Sequence, residues 1–579
     1  MEIDKVKQRI SGFNLPEVLV EVEYNRLKKD KIIKRIWNLD HTVWSDNPEE
    51  ISNRLGWLHS HRIMSDSLLK IYDFVKQVRD EGYTRVLLLG MGGSSLAPEV
   101  FQTVFGFQNG FPDLDVLDST DPGAVIEKEQ INKASKNLFI VSTKSGGTVE
   151  TTSLMKYFYN ITAASAGKQN AGEHFIAITD PGSGLEETAR KLSFRKIFLN
   201  DPNIGGRYSA LSYFGLVPAG LAGINLGLLL QKAENMSFNA QVIDCSTGTE
   251  NTSAWLGSAL GALAKNGQDK ITFILSPAIR PFGAWIEQLL AESTGKKGKG
   301  LLPVYGETLF EPDVYANDRL FIYFRLTGDT VNDKNINMLI AAGHPVIQLD
   351  LDDQYDLGSE FFRWMMATAV AGWSLGINPF DQPNVESSKM LTRKLVSEYQ
   401  DKGKLPQSSP DLKVDDIEVF SGQSADNLQQ VWSNFKMAVK SGDKKGQGRS
   451  YIAIQAYLKP NSQNDRALQD LRDIIQTSLR VAVTVGYGPR YLHSTGQLHK
   501  GDAGNGLFIQ LTAEISGDIP IPDHPGDQRS SISFGMLKNA QALGDRQALT
   551  AAGRKVLGFH FHGDIKNSIK RLSDAIEGF

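Results

Sequence analysis

The chain has 579 residues, of which 41% are hydrophobic and 22% charged, and its formal net charge is −4. A chain of this size is expected to form two or three domains, and its composition excludes disordered and fibrous proteins. The nearly balanced charge excludes a field that would hold a polyanion, so nucleic acid is not an expected partner.

Two further features bear on the location of the protein. The N-terminus has mixed charge rather than an apolar signal segment, and the single cysteine, Cys245, cannot form an internal disulfide. Residues 210–230 are apolar enough to suggest a membrane span, but Pro218 and several glycines interrupt them, and a buried core helix explains them as well. We therefore expect a cytoplasmic protein that makes no membrane contact.

Short apolar runs, each ended by turn-forming residues, recur along the first two thirds of the chain. In chain order they are RVLLLG, NLFIV, HFIAIT, KITFIL, RLFIYF and HPVIQL. Runs of this kind, separated by helical patterns, predict buried parallel strands in βαβ units. They form two clusters, so we predict an α/β protein with an N-terminal helical segment (1–60) and two αβα lobes (61–235 and 236–400).

The last third of the chain has a different pattern. Two polar stretches rich in turn formers predict a linker region over residues 401–450. Residues 451–579 then show the order βαββαβ, followed by an amphipathic helix. That order predicts a small C-terminal α+β domain of split-βαβ type.

The first stretch that could carry chemistry is LLLGMGGSS, where Gly92 and Gly93 follow a predicted strand. Glycines at such a junction free amide groups to face an anion at a helix N-terminus, although a structural turn explains them equally well. A dinucleotide-binding fingerprint would need a third glycine in place of Ser95, while Asp115 and Asp118 lie at about the right distance for its acidic residue.

The second stretch, VSTKSGGTVET, is a better candidate for a phosphate site. Thr143, Ser145, Thr148 and Thr151 supply hydroxyl groups around Lys144 and a glycine pair. Hydroxyls, amides and a lysine can together surround a phosphomonoester. Because the GxxxxGK[ST] pattern is absent, ATP is not indicated.

The third stretch is EQLLAESTGKKGKG, in which Gln288 and Glu292 lie one helical turn apart. A carboxylate facing a substrate carbon could act as a base, although most helical glutamates are simply solvated. Glu292 becomes a stronger candidate only through the motifs around it.

These motifs occur in the order GMGGS, TKSGGTVET, GGRYS and ESTGK, and Gln382 is followed seven residues later by Lys389. In this order the chain resembles the glucose-6-phosphate isomerase family. The resemblance implies two sugar-isomerase (SIS-type) lobes and reversible isomerisation of glucose 6-phosphate to fructose 6-phosphate. It implies no organic cofactor and no required metal.

The resemblance also implies roles for individual residues. Glu292 would move a proton between C2 and C1 through a cis-enediol, and Arg207 would stabilise the enediolate. The residues implied in binding the substrate phosphate are Ser94, Thr143, Ser145 and Thr148. Those implied in binding the sugar are Gly93, Lys144, Gln288 and Gln382, with Lys389 completing the pocket and assisting ring opening.

The chain departs from the family pattern at the ring-opening histidine. The family has an HSxGQ-like element between the ESNGK motif and the Gln-to-Lys motif, where this chain has only His344 in AGHPVIQL. The sequence HSTGQ occurs instead near the C-terminus and contains His493. Since an imidazole can move protons near pH 7, we predict that His493 opens the sugar ring; His499, or no histidine, are the alternatives.

The C-terminal arrangement, with DHTVW and NRLGWL near the start, resembles the isomerase half of bifunctional transaldolase/glucose-6-phosphate isomerase proteins. We expect no transaldolase activity from this chain, and a fused or associated transaldolase is left open. The family also suggests a homodimer with its active site near the subunit boundary. His493 could then serve its own subunit or the neighbouring one.

Four alternatives stay open at this point. The enzyme could be a dual phosphoglucose/phosphomannose isomerase, since both reactions share one enediol. The protein could instead be a noncatalytic phosphosugar-binding protein, or an NAD-dependent oxidoreductase with nicotinamide bound near residues 90–94. Finally, His560 and His562 with Asp564 could bind a metal, although imidazoles at a strand end are the commoner explanation.

Overall fold

The computed structural model describes residues 9–132, 136–242, 250–406 and 408–577, so Cys245 lies outside the described part. The first described element is not a helix but strand β1 (Ile10–Phe13). Helices Glu17–Lys29 and Ile32–Trp37 follow it, as expected for the N-terminal segment.

The first lobe is built on a parallel sheet. Its strands are β2 (Arg85–Gly90), β3 (Asp113–Leu117), β4 (Asn137–Ser142), β5 (Phe175–Thr179) and β6 (Lys196–Leu199), in the spatial order β3-β2-β4-β5-β6. Five of the six residues in both β2 and β4 are buried, as expected for strands covered on both faces. The helices of this region are Ser60–Asp66, Leu68–Asp80, Leu96–Phe105, Pro122–Asn132, Val149–Ala166, Gly184–Lys191, Tyr213–Leu221 and Leu226–Ala240.

The second lobe repeats this plan. Its strands are β7 (Lys270–Leu275), β8 (Leu302–Tyr305), β9 (Arg319–Leu326) and β10 (Val346–Leu351), which pair in parallel in the order β10-β9-β7-β8. Strand β1 adds to the edge of this sheet, antiparallel to β10. The helices are Thr252–Lys265, Phe282–Thr294, Asp333–Ala341 and Leu357–Leu375. The predicted α/β fold with parallel-sheet lobes is therefore confirmed.

The apolar stretch 210–230 contributes to the core between the lobes. It forms helix Tyr213–Leu221 and the start of helix Leu226–Ala240, and its residues belong to one buried cluster that spans both lobes. Over the described residues, we find no helix with the length and hydropathy needed to cross a membrane.

The C-terminal region forms a third sheet. Its strands are β11 (Leu412–Val414), β12 (Ile417–Phe420), β13 (Tyr451–Tyr457), β14 (Ala482–Tyr487), β15 (Gly506–Ala513) and β18 (Lys555–Phe561), in the order β11-β12-β18-β15-β13-β14, while β16 (Pro520–Ile521) and β17 (Ile532–Ser533) pair separately. The helices are Glu386–Lys402, Leu428–Lys436, Ser462–Leu479, Gly496–Gly501, Phe534–Ala551 and Ile565–Glu577.

Two details of this region differ from the sequence-based prediction. Strands β14, β13, β15 and β18 all pair in parallel, whereas a split-βαβ domain would alternate directions. The residues 401–450 are also not simply a linker, because they contain β11, β12 and helix Leu428–Lys436, and β12 pairs antiparallel with β18. These strands are only three and four residues long, so their few apolar residues do not stand out from the polar, turn-forming residues around them.

Candidate active site

A cavity of about 990 Å³ opens between the two lobes and the C-terminal region. The twelve residues predicted to act on or bind the substrate all line it: Gly93, Ser94, Thr143, Lys144, Ser145, Thr148, Arg207, Gln288, Glu292, Gln382, Lys389 and His493. They come from segments up to 400 residues apart in the chain. The fold therefore brings the separate motifs into one site.

Loops at two neighbouring strand ends form one wall of the cavity. Strands β2 and β4 are parallel neighbours, so their carboxyl ends meet at the same sheet edge, where ligands of α/β proteins bind. After β2, an added Cβ on Gly93 would overlap the carbonyl oxygen of Gly206. Glycine at position 93 therefore allows the loop that carries Arg207 to approach closely.

The loop after β4 leads into the N-terminus of helix Val149–Ala166. The hydroxyl oxygens of Thr143 and Thr148 lie 3.1 Å apart, and the amide of Gly147 donates to Ser145 Oγ at 3.2 Å. The amide groups and dipole at the start of a helix favour a bound anion. This loop thus has the groups needed to bind a phosphate.

Lys144 is engaged by protein groups. Its Nζ forms an ion pair with Asp180 and donates to the carbonyl oxygen of Pro202 at 2.8 Å. Burial raises the pKa of Asp180 above its ordinary value, although the ion pair with Lys144 opposes the shift. Lys144 therefore anchors the loop as well as adding positive charge to this end of the cavity.

Glu292 lies on helix Phe282–Thr294, and 13% of its side chain is exposed. Its Oε1 is 3.3 Å from Arg207 Nη1, and its Oε2 accepts a hydrogen bond from Gln288 Nε2 at 3.2 Å. The same Gln288 nitrogen donates to the backbone oxygen of His493 at 2.7 Å. Gln288 thereby links the carboxylate of Glu292 to the turn that contains the histidine.

Arg207 is almost completely buried and held on several sides. It donates from Nε to Ser293 Oγ at 2.9 Å, from Nη1 to Gln382 Oε1 at 2.5 Å, and from Nη2 to the carbonyl oxygens of Pro379 and Asp381. These bonds fix the plane of the guanidinium beside Glu292. A fixed, buried cation of this kind can stabilise negative charge that develops on a ligand oxygen.

His493 ends the short turn Arg490–His493 that follows β14. Its Nε2 lies 3.0 Å from Glu150 Oε1, and because a carboxylate only accepts, Nε2 carries the proton of this bond. Glu150 is buried and also accepts a hydrogen bond from Gln541 Nε2 at 2.7 Å. Burial is the largest single influence on the pKa of Glu150 and raises it. The charge of His493, the hydrogen bond that His493 donates and the charge of Lys389 together outweigh burial and lower the pKa below 4.5.

Neither Glu150 nor Gln541 was singled out from the sequence. Glu150 stands inside the TKSGGTVET motif, so the motif itself was the signal that could have found it. Gln541 lies in helix Phe534–Ala551 of the C-terminal region, where its sequence context resembles that of any polar helical residue.

Lys389 lies on helix Glu386–Lys402 at the edge of the cavity. Its side chain is 36% exposed, and its Nζ is 3.5 Å from Glu386 Oε2. A surface ion pair at this distance holds a lysine only weakly. Protein groups therefore hold the ammonium group of Lys389 only weakly.

The other histidines and acidic residues have local explanations. His344 Nε2 bonds the carbonyl oxygen of Pro312, and His499 is fully buried, which lowers its pKa well below the ordinary range. His560 bonds Thr512 and His562 pairs with Glu514, and no metal-binding group of His, Cys, Asp and Glu is found among the residues that the structure describes.

The acidic residues of the dinucleotide alternative are also engaged. Asp115 pairs with Lys128 at 2.7 Å, and Asp118 accepts from Ser95 Oγ and lies 3.4 Å from Arg490 Nε. Neither carboxylate is among the residues that line the cavity. The arrangement does not favour a bound ribose.

Comparisons with known proteins point in one direction. The family model described as phosphoglucose isomerase matches residues 66–300. Among curated relatives, the glucose-6-phosphate isomerase of Campylobacter jejuni is 26% identical over 397 residues, which are 61% of this chain and 94% of that protein. That of Mycoplasmopsis pulmonis is 25% identical over 437 residues, 68% of this chain and 98% of that protein.

Two solved structures share the fold. A hypothetical protein of Thermus thermophilus aligns with a TM-score of 0.57 and 23% identity, covering 66% of this chain and 99% of its own. A glucose-6-phosphate isomerase from Chlamydia trachomatis aligns with a TM-score of 0.55 and 19% identity, covering 66% of this chain and 86% of its own. About a third of this chain lies outside each of these alignments.

The family match includes the two loops of the cavity wall, Arg207, Gln288 and Glu292, which are the residues whose motifs carried the resemblance. The fold, the matched region and the relatives agree. Residues 66–300 of this chain match the phosphoglucose isomerase family, and the curated relatives that align with 61% and 68% of the chain are glucose-6-phosphate isomerases.

Proposed function

We propose that the protein catalyses the reversible isomerisation of D-glucose 6-phosphate to D-fructose 6-phosphate, without an organic cofactor or a required metal. One observation carries the proposal: a single cavity contains a helix N-terminus with several hydroxyl groups, a carboxylate beside a buried arginine, and a histidine paired with a second carboxylate. These are the groups needed to bind the phosphate, move a carbon-bound proton and open the sugar ring.

In the proposed reaction, Thr143, Ser145, Thr148 and Ser94 bind the phosphate at the start of helix Val149–Ala166. Glu292 removes the C2 proton of the open aldose and returns it to C1. Arg207 stabilises the negative charge on the enediolate oxygen, and its fixed position beside Glu292 supports this role. Gln288 and Gln382 would complete the sugar site.

Ring opening is assigned to His493. Because Nε2 of the imidazole donates to Glu150, Nδ1 is left as the nitrogen that can carry a proton between the anomeric hydroxyl and the ring oxygen. Lys389, whose ammonium group is held only weakly, would assist. His493 lines the same cavity as Glu292 of its own chain, which supports a site completed within one subunit.

The proposal is tested by comparing Glu292→Gln with Glu50→Gln. Glu50 is a second carboxylate that lines the cavity; it pairs with Arg54 and has no assigned role. Loss of a general base costs about 10² to 10⁴-fold in rate, so Glu292→Gln should lose turnover of glucose 6-phosphate to that extent, while Glu50→Gln keeps it. Full turnover by Glu292→Gln would refute the mechanism.

Mannose 6-phosphate separates this function from the dual isomerase. We expect no turnover comparable to that of glucose 6-phosphate, and equal turnover of both sugars would replace the proposal with the dual activity. A noncatalytic binding protein would bind both sugar phosphates without converting either.

We further propose that the protein acts in the cytoplasm as a homodimer, as the family resemblance implies. Light scattering after gel filtration tests the dimer, which should have twice the chain mass of 63.8 kDa. The same resemblance supports the hypothesis of a fused or associated transaldolase. Purification of the tagged chain from its own cells, followed by a transaldolase assay, tests it.

A further inference from the structure

Helix Phe534–Ala551 of the C-terminal region carries two buried polar residues one turn apart, Gln541 and Asp545. We propose that this helix is a positioning element for ring opening, in which Gln541 and Asp545 orient His493 from two sides. The proposal rests on the function proposed above. Both residues act through other residues and not on the reacting atoms.

Gln541 acts on the imidazole through Glu150. Its Nε2 donates to Glu150 Oε1 at 2.7 Å, and this is the same oxygen that accepts from His493 Nε2. The hydroxyl of Thr120 donates to Gln541 Oε1 at 2.9 Å, so the amide nitrogen is turned towards Glu150. The carboxylate of Glu150 cannot rotate without weakening both bonds, and it therefore holds the imidazole in one orientation.

Asp545 acts on the backbone that carries the histidine. Its Oδ2 accepts from Tyr491 Oη at 2.7 Å, and Tyr491 lies two residues before His493 in the same turn. Its Oδ1 accepts from Ser388 Oγ at 2.9 Å and pairs with Lys500 Nζ at 2.6 Å. All of these groups are buried, so the hydrogen bonds form at a low local dielectric constant, where they are stronger than in water.

Ser388 adds a second connection, because it is the neighbour of Lys389 in helix Glu386–Lys402. One carboxylate therefore links the turn of His493 to the helix of Lys389, the two groups assigned to ring opening. Gly544 permits this arrangement: an added Cβ would lie 2.8 Å from Thr392 Oγ1 and 3.0 Å from its backbone nitrogen. A larger residue would push the two helices apart next to Asp545.

The test must measure ring opening separately from proton transfer at carbon. Exchange between the α and β anomers of glucose 6-phosphate requires opening and closing of the ring but no carbon-bound proton. In a Glu292→Gln background, exchange NMR of the two anomers, corrected for the rate without protein, therefore reports ring opening alone.

We expect Gln541→Leu to slow this exchange by about tenfold, since it removes one hydrogen bond to a charged group and keeps the size of the side chain. The matched control is Gln547→Leu, an exposed glutamine of the same helix, which should exchange at the rate of its parent. Exchange at the parental rate in Gln541→Leu would overturn the proposal.

Two milder variants keep the test decisive if Gln541→Leu does not fold. Thr120→Val frees the amide of Gln541, and Tyr491→Phe removes only the hydroxyl that bonds Asp545. Each is expected to slow anomer exchange several-fold while circular dichroism shows a folded protein, and parental exchange in both would overturn the proposal. A wild-type protein that neither isomerises nor anomerises glucose 6-phosphate would instead refute the proposed function.

Discussion

Replacing Glu150 with glutamine tests the pair that Glu150 forms with His493. The substitution keeps the size of the side chain and one acceptor oxygen but removes the negative charge. Glu150 accepts one hydrogen bond from His493 at 3.0 Å and one from Gln541 at 2.7 Å, and its side chain is only 5% exposed. Little water can therefore reach the site to compensate for the lost charge.

The size of the effect follows from these two bonds. A hydrogen bond to a charged group is roughly twice as strong as a neutral one, so neutralising Glu150 removes about 1 kcal/mol from each bond. The total of about 2 kcal/mol corresponds to a loss of about 30-fold in the rate of ring opening. Binding of the phosphate should change little, because none of the hydroxyls proposed to bind it contacts Glu150 in the hydrogen bonds described above.

Anomer exchange of glucose 6-phosphate by NMR measures this loss, with KM for the isomerisation recorded beside it. The exposed carboxylate Glu187, on the helix Gly184–Lys191, provides the control Glu187→Gln. A Glu150→Gln protein whose anomer exchange stays within twofold of wild type would refute the idea that this carboxylate orients the histidine.

Four further properties of the protein can be tested in the same way. Because the pKa of Glu150 is lowered in the folded protein, its charge stabilises the fold above pH 4.5, and this contribution is lost as the pH falls. The difference in unfolding free energy between wild type and Glu150→Gln should therefore shrink in acid. A difference that stays constant with pH in urea titrations would contradict this. Gly93→Ala should lower the free energy of unfolding by about 1 to 3 kcal/mol, since the added methyl group overlaps Gly206, and wild-type stability would show that the loops can separate freely. Arg490→Leu should lower it by about 1 to 2 kcal/mol, because the partly exposed Glu99 and the buried Asp118 lose the cation with which both pair; an unchanged unfolding midpoint would show that these ion pairs contribute no net stability. EDTA should leave turnover unchanged, because in the proposed mechanism a carboxylate, an imidazole and a guanidinium carry every step; loss of activity restored by a divalent cation would contradict it.

Much of the site was predictable because its motifs are local. Strands β2 and β4 are continuous apolar runs followed by Gly, Ser and Thr, and such junctions place their loops at one sheet edge regardless of the rest of the fold. Glu292 became predictable only through the ordered motifs around it, since a lone helical carboxylate carries no signal of its own.

The remaining features depend on contacts between distant segments. Gln541 reaches Glu150 across 391 residues of sequence, and nothing in the pattern of its helix distinguishes it from the exposed Gln547. Lys144 carries the charge that its motif suggested, but its ion pair with Asp180 follows from the packing of two loops. A local sequence pattern predicts neither the hydrogen bond between Gln541 and Glu150 nor the ion pair between Lys144 and Asp180.

The C-terminal sheet shows the same limit for strand pairing. The order βαββαβ is compatible with several arrangements, and the choice between parallel and alternating strands is made by tertiary packing. One feature of the sequence is consistent with the observed arrangement: β13 is the mostly apolar run YIAIQAY, and all of its residues are buried, as in strands covered on both faces. Strands β11 and β12 were missed because they are only three and four residues long and lie within a stretch that is otherwise polar and rich in turn formers.

The most direct test of the account follows the hydrogen that Glu292 is proposed to move. Glucose 6-phosphate labelled with deuterium at C2 is converted in ordinary water, and the label is located in the product by NMR. We predict that wild-type protein transfers part of the label to C1 of fructose 6-phosphate and releases the rest to water, while Glu292→Gln does neither and still exchanges the anomers. Undiminished transfer of the label to C1 by Glu292→Gln would contradict the assignment of Glu292 as the base.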